Sequence, residues 1–323
     1  MKQIVHRAMV LLCVAGLSAC QTTAGNKTIA APTCGDIGAA RAIADDSFRA
    51  TLWQQTAAEY DALSLQVYAR ADAMLDRAIK DPTWSALDPS EGQSAVGGAL
   101  AIIADIDETL VDNSAFAVRA MREPVSECMT PVQARADWER RWLEWVTDAE
   151  ATALPGAAEF MQRAVARRDA EIEVFYITNR KDNEKQATCK NLIELGFPVP
   201  NCDTQVLTRN DDDGRAKDKV SRRKQVAGSH RVVLLFGDNL GDFVGNILTN
   251  EVERDAVVAG RQAWWGERWM MLPNPGYGSW EEILGQIRDR ADDFATAEER
   301  NAYVRAQKER ALEDCRAKDC LKP

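Results

Sequence analysis

Five short apolar runs punctuate the chain, each closed by polar or turn residues. They are Ala101 to Ile103, Ile172 to Ile177, Gln205 to Leu207, Val232 to Phe236 and Trp269 to Leu272. The runs are continuous rather than alternating, as expected of parallel strands covered on both faces. Gly156 to Arg168 and Asn183 to Leu195 carry helical spacing between them. Strand alternating with helix predicts an α/β fold built on a doubly wound parallel sheet. Upstream, Trp53, Tyr60, Leu63, Val67, Tyr68 and Leu75 recur at helical spacing within 36–81, predicting one or two extra N-terminal helices on the outside of the core. Residues 113–150 break the alternation directly after the first strand. Trp138, Trp142 and Trp145 fall there at i, i+4 and i+7, one helix face, and the segment reads as an inserted helical cap. From Glu281 the chain is charged and helical to Pro323.

The amino terminus stands apart from this fold. Lys2, His6 and Arg7 precede an apolar stretch, Ala8 to Gly16, which is too short to span a bilayer. It runs into Leu17-Ser18-Ala19-Cys20, which resembles the lipobox of bacterial lipoproteins. That resemblance implies a signal peptide over 1–19 and lipid on Cys20, an anchor that needs no spanning segment. An ordinary signal peptide cut nearby is the alternative. Gln21 resembles outer-membrane sorting, so the expected location is the bacterial cell envelope, lipid-anchored at the outer membrane. Residues 20–35 read as anchor and tether, of which the small, polar stretch 21–33 reaches at most about 40 Å. The expected division continues with one large α/β domain over 36–290, containing the cap at 113–150, and a charged helical tail over 291–323.

The formal charge is -10, and removal of Lys2 and Arg7 with the leader takes it to about -12. An acidic surface disfavours polymeric nucleic acid, whose binding neutralises phosphates. A small anionic substrate is still admissible in a locally positive pocket. Of the two histidines only His230 outlasts the leader. That excludes histidine-nucleophile chemistry, multi-histidine zinc sites and most Ser-His-Asp enzymes. His230, just before a strand, is expected at the surface. Six cysteines follow Cys20, and an exported compartment permits disulfides. The pairs expected are Cys189 with Cys202, Cys315 with Cys320, and Cys34 with Cys128. Two motifs fail on inspection. A calcium loop around Asp211 and Asp213 would begin at Arg209 and end at Val220, and Cys128 to Arg135 has the wrong spacing for a cysteine phosphatase.

The chemistry concentrates at strand ends. Asp105 and Asp107 close the first strand one residue apart, with Thr109 beyond them. Side chains at i and i+2 of an extended segment share a face. Ligands of open α/β sheets bind at the carboxyl ends of the strands. One carboxylate of such a pair can attack while the other moves a proton. The second strand ends in Thr178-Asn179-Arg180. The run at 232–236 ends in Gly237-Asp238-Asn239-Leu240-Gly241-Asp242, and a basic cluster from Lys217 to Lys224 precedes it.

Together these segments resemble the four motifs of the haloacid dehalogenase-like superfamily. DIDETLVDNS, YITNR, KVSRR before GDNLGDF, and LPNPGYGSWE are similar to the class C acid phosphatases, the bacterial outer-membrane lipoprotein 5'-nucleotidases. The resemblance covers roughly 36–290. It implies a haloacid dehalogenase-like core and a Mg²⁺-dependent acid phosphatase acting on nucleoside monophosphates. Asp105 is then the nucleophile that forms an aspartyl-phosphate, and Asp107 the general acid and base. Thr178 bonds a phosphoryl oxygen and a lysine offsets charge. Mg²⁺ is expected on the Asp105 and Asp238 carboxylates and the Asp107 carbonyl. Lys219 stands three before Arg222, as the family's pattern asks; Lys217 is the competing choice. Arg223 and Lys224 read as a solvated helix face. Asp242 is either an outer residue orienting Asp238 or a helix N-terminal acid. Trp142 and Tyr277 are expected on either side of the base, with Asn179 beside them in the substrate site; core packing is the other reading of Trp142. Asn113 and Ser114 are expected to turn the chain into the cap.

Two rival functions share these residues. A phosphotransferase would pass the phosphoryl group to a nucleoside instead of water. A binding lipoprotein of the envelope would have kept the fold and lost catalysis. The oligomeric state, a homo-oligomer included, is left open by the sequence.

Overall fold

A computed structural model describes residues 47–95, 97–123, 129–210, 217–284 and 293–312. The signal peptide, the Cys20 anchor, the tether, and the Cys34–Cys128 and Cys315–Cys320 pairings lie outside the described residues. Two helices open the fold, α1 (Phe48–Thr56) and α2 (Ala58–Lys80). The first strand, β1 (Leu100–Ala104), leads to β2 (Val111–Asp112), then α3 (Ser114–Arg122) and α4 (Pro131–Asp148), and back through β3 (Thr152–Ala153). Next come α5 (Ala157–Val165), β4 (Ile172–Lys181), α6 (Lys185–Glu194), α7 (Cys202–Gln205) and β5 (Val206–Arg209). The chain continues with α8 (Val220–Ala227), β6 (Arg231–Gly237), α9 (Glu251–Gly260), β7 (Trp269–Met271), α10 (Ser279–Glu282) and α11 (Ala297–Ala311).

The main sheet has the order β5-β4-β1-β6-β7, and all of its pairs are parallel. The chain winds outward from β1 to β4 and β5, then returns to the other side of β1 with β6 and β7. The reversal lies between β1 and β6, where the loops leaving adjacent strands diverge and open a crevice. The continuous apolar runs follow from burial on both faces. Leu100, Ile102 and Ala104 of β1 face a core shared with α2 and α5, whereas Ala101 and Ile103 face one shared with α8. Every residue of β1 and β6 is buried.

The cap grows from a two-stranded antiparallel base, β2 with β3, that brackets α3 and α4. Thr130 caps α4 through a reciprocal capping box with Gln133, and Pro131 supplies a compatible first residue. The tryptophan face grades from solvent to core: Trp138 is 45% exposed, Trp142 half-buried and Trp145 3% exposed. Cys189 and Cys202 form the expected disulfide, joining α6 to α7.

Several details correct the sequence reading. Gln205 ends a helical turn, and the strand begins at Val206. β4 runs to Lys181, one residue past the expected strand end at Arg180. Arg223 is fully buried on an ion pair with Glu91, not solvated; Lys224 is exposed. His230 is half-buried at the surface: its side chain, 14% exposed, packs edge-on against Phe175 and pairs with Glu173 at the amino-terminal side of β6. Helix α9 was unanticipated; it has no buried residue to impose an apolar stripe.

Candidate active site

The backbone amide of Asp105 donates to the Phe236 carbonyl at 3.0 Å, so the ladder between β1 and β6 holds up to the first acid. The chain then turns tightly: the amides of Leu110 and Val111 both donate to the Ile106 carbonyl, at 2.8 and 3.0 Å. Glu108 adopts φ 54°, a left-handed conformation unusual for a residue with a side chain. Ile106 is fully buried between Asp105 and Asp107, whose side chains retain 11% and 16% exposure toward the crevice.

Four expected residues converge here. Lys219 Nζ lies 2.6 Å from Asp105 Oδ1 and 2.7 Å from Asp242 Oδ1. Lys217 instead pairs with Glu282, so Lys219 is the lysine that meets the strand-end acids. Carboxylate oxygens of Asp105, Asp238 and Asp242 lie within 4.8 Å of one another. Asp238 accepts from Thr109 Oγ1 at 3.2 Å on one oxygen and from Asn274 Nδ2 at 2.7 Å on the other. The hydrogen bonds of Asp242 go to Lys219 and to the Asn239 amide. The residue ends the 3-10 turn Leu240–Asp242 and accepts from the Asn239 amide at 2.9 Å, while its other oxygen holds Lys219. This approach depends on Gly237, where a Cβ would lie 2.3 Å from Asp242 Oδ2.

The electrostatics follow from crowding. Burial pushes Asp105 up to about 6; Lys219 opposes the shift, and Asp242 and Asp107 add to it. Burial, then Asp242 and Asp105, holds Asp238 well above the usual carboxylate range. Burial works against the charge on Lys219, but Asp105 and Asp242 outweigh it and raise its pKa. Three close carboxylates facing one ammonium leave an excess of negative charge. Their all-oxygen donor set fits a hard divalent cation such as Mg²⁺.

Asp107 has a separate set of partners that the sequence did not reveal. Arg180 donates to it from Nη2 at 2.7 Å and from Nε at 3.1 and 3.2 Å to its two oxygens. Asn113 Nδ2 adds a bond of 2.9 Å. Asn113 stands at the entry to α3 as expected, but its side chain makes no cap. It serves the site instead, with its oxygen accepting from Trp145 Nε1 at 2.8 Å. Arg180 lies two residues past Thr178 on one strand face, a spacing that gives its direction but not its partner.

The remaining candidates are spread around this centre. Thr178 is fully buried, and its hydroxyl oxygen accepts from the Arg180 amide at 3.1 Å. Asn179 accepts from Arg222 Nη2 at 3.0 Å. Trp142 stacks on Trp138, with ring centroids 5.7 Å apart, and meets the Arg180 guanidinium 5.5 Å from its ring centre. Trp142 thus packs within the tryptophan stripe and also reaches the arginine that holds Asp107. Tyr277 is 49% exposed, and its hydroxyl donates to Glu108. Burial, then Asp107 and Asp238, raises the Glu108 carboxyl well above its ordinary range. Among the described residues no helix is long and apolar enough to cross a membrane.

Residues 21–280 match the model of the HAD superfamily, subfamily IIIB (acid phosphatase). The class C acid phosphatase from Bacillus anthracis with tungstate bound is similar in structure, with a TM-score of 0.66 and 30% sequence identity over 84% of this chain and 99% of that one. A second structure of the class C acid phosphatase from Bacillus anthracis superposes with the same TM-score at 29% identity.

Proposed function

The chain belongs to the HAD superfamily, subfamily IIIB, and is an acid phosphatase of class C type; from that premise we propose that it is a Mg²⁺-dependent 5'-nucleotidase of the bacterial envelope. The observation that carries the proposal is the Asp105–Lys219–Asp238–Asp242 cluster at the ends of β1 and β6. Asp105 and Asp238 would hold the cation, with the Asp107 carbonyl as the expected third protein ligand. When bound, the ion would offset the repulsion between an anionic nucleophile and an anionic phosphate. Asp242 has one oxygen on Lys219 and the other on the Asn239 amide, which suits it to fixing the lysine.

Asp105 attacks phosphorus in line; the bond to the ester oxygen breaks and an aspartyl-phosphate forms. Asp107 gives its proton to the departing oxygen, then takes one from the water that releases phosphate. Lys219 offsets the charge spread over the transferring group. The Thr178 oxygen already accepts from a backbone amide, and its hydrogen is the group to donate to a phosphoryl oxygen. A base lies between Trp142 and Tyr277 with Asn179 beside it, and stacking tolerates every base. This suits a broad nucleotidase. Polymeric nucleic acid is disfavoured by the charge of -10. Lipid on Cys20 would hold the enzyme at the outer membrane. The run Leu17-Ser18-Ala19-Cys20 supports this reading.

The test is phosphate release from nucleoside monophosphates and an aryl phosphate, with Mg²⁺ and with chelator. Turnover on both, abolished by chelator, is expected. Undiminished turnover in chelator, or an aryl phosphatase blind to nucleotides, overturns the proposal.

A further inference from the structure

The mechanism gives no task to Arg180, a buried cation in contact with its general acid. Arg180 is 3% exposed, and its guanidinium spans three parts of the fold. It grips the Asp107 carboxylate with Nε and Nη2. Its Nη1 donates to Thr188 Oγ1 at 3.2 Å, and that hydroxyl donates to the Glu184 carbonyl at 2.9 Å, so the fork is itself held by α6. Its third contact is the ring of Trp142 in α4, whose side chain also hydrogen-bonds Glu184.

A two-point grip on a carboxylate constrains its direction as well as its charge. Besides Arg180, Asp107 receives the Asn113 amide group on Oδ1, a single bond about which the carboxylate can swing. A proton donor must lie within hydrogen-bond reach of the departing oxygen, so a swinging carboxyl loses rate even with its chemistry intact.

We propose that Arg180 is a positioning residue that aims the Asp107 carboxyl at the leaving-group oxygen and takes its own placement from the cap through Trp142. The inference rests on Asp107 acting as the general acid. Arg180 works on departure of the ester oxygen and not on phosphate capture, so its effect scales with the leaving group's need for a proton. A nitrophenolate leaves unaided, whereas the alkoxide of a nucleoside does not.

The experiment compares kcat/KM, which reports through the first irreversible step, for p-nitrophenyl phosphate and a nucleoside monophosphate. It uses the full chain with Mg²⁺ and the variants Arg180→Gln, Arg180→Lys and Asp107→Asn. Both Arg180 variants should lose about 10²-fold on the nucleotide and less than about threefold on the nitrophenyl ester, in the range one acid contributes. Lys should not rescue, because a point charge lacks the fork. In the Asp107→Asn background, Arg180→Gln should cost little more. If Gln at 180 prevents folding, Lys, which keeps a buried cation, carries the same comparison. Equal losses on the two substrates, no loss, or full rescue by Lys overturns the proposal. If Asp107→Asn itself shows no leaving-group selectivity, the acid role of Asp107 fails first. Selectivity in Asp107→Asn without selectivity in the Arg180 variants refutes only the positioning role.

Discussion

The Tyr277 hydroxyl donates to the Glu108 carboxylate, tying the loop after β7 to the strained turn after β1. The ring that stands half in solvent is therefore fixed from the turn that carries Asp105 and Asp107. Its face is held ready without help from a ligand. Tyr277→Phe keeps the ring and removes the tether. KM for a nucleoside monophosphate should rise about tenfold, roughly 1.4 kcal/mol, with kcat on an aryl phosphate nearly unchanged. Steady-state kinetics on the two substrates checks this.

Gly237→Ala tests the packing behind the acids. A methyl group would overlap Asp242, which must then move and release Lys219. Overpacking of this kind costs about 1–3 kcal/mol. Urea unfolding should register that loss, and kcat/KM should fall at least about tenfold, since a displaced lysine no longer faces Asp105.

Asp105→Asn separates catalysis from folding. Turnover should fall by about 10³-fold or more. The metal-free melting temperature should hold or rise, because one of three crowded, buried carboxylates loses its charge. Loss of fold along with activity would contradict this account of the cluster.

Cation binding should depend on pH in a definite direction. Asp105 ordinarily titrates near 3.8 and in the metal-free fold near 6. Between those values the native chain keeps a proton that the unfolded chain has lost, so metal-free stability falls as pH rises through the window. Mg²⁺ binds the ionised form and reverses this loss. The Mg²⁺-induced rise in melting temperature should be larger at pH 7.5 than at pH 4.5, by scanning fluorimetry. Calorimetry at pH 6 in two buffers of different ionisation enthalpy should detect proton release.

Reduction of Cys189–Cys202, or its replacement by alanines, should remove about 3 kcal/mol, given a separation of 13 residues. Denaturant titration with and without reductant measures it. Activity below the melting point should persist, since the bond joins α6 to α7.

The strand ends were legible because burial writes itself into composition. A run apolar on both faces and closed by Asp105 or Asp238 is a covered strand that presents its acid where the sheet ends. Arg180, Asn113 and Asn274 were not legible as site residues. Their meaning lies in partners such as Asp107, 73 residues from Arg180, and ordinary polar residues carry no mark of such pairing. Arg223 was misread because a basic cluster invites a solvent-facing interpretation. Its helix in fact buries residues 222, 223, 226 and 227, and its partner Glu91 lies 132 residues away.

The order of strands has a consequence for the enzyme before it is complete. Thr109 and Asp238 touch across the central crevice, yet 129 residues separate them along the chain. A nascent polypeptide that ends short of β6 carries Asp105 but neither Asp238 nor Asp242, the two acids that complete the cluster. The cluster at the strand ends is therefore assembled only once β6 has docked beside β1.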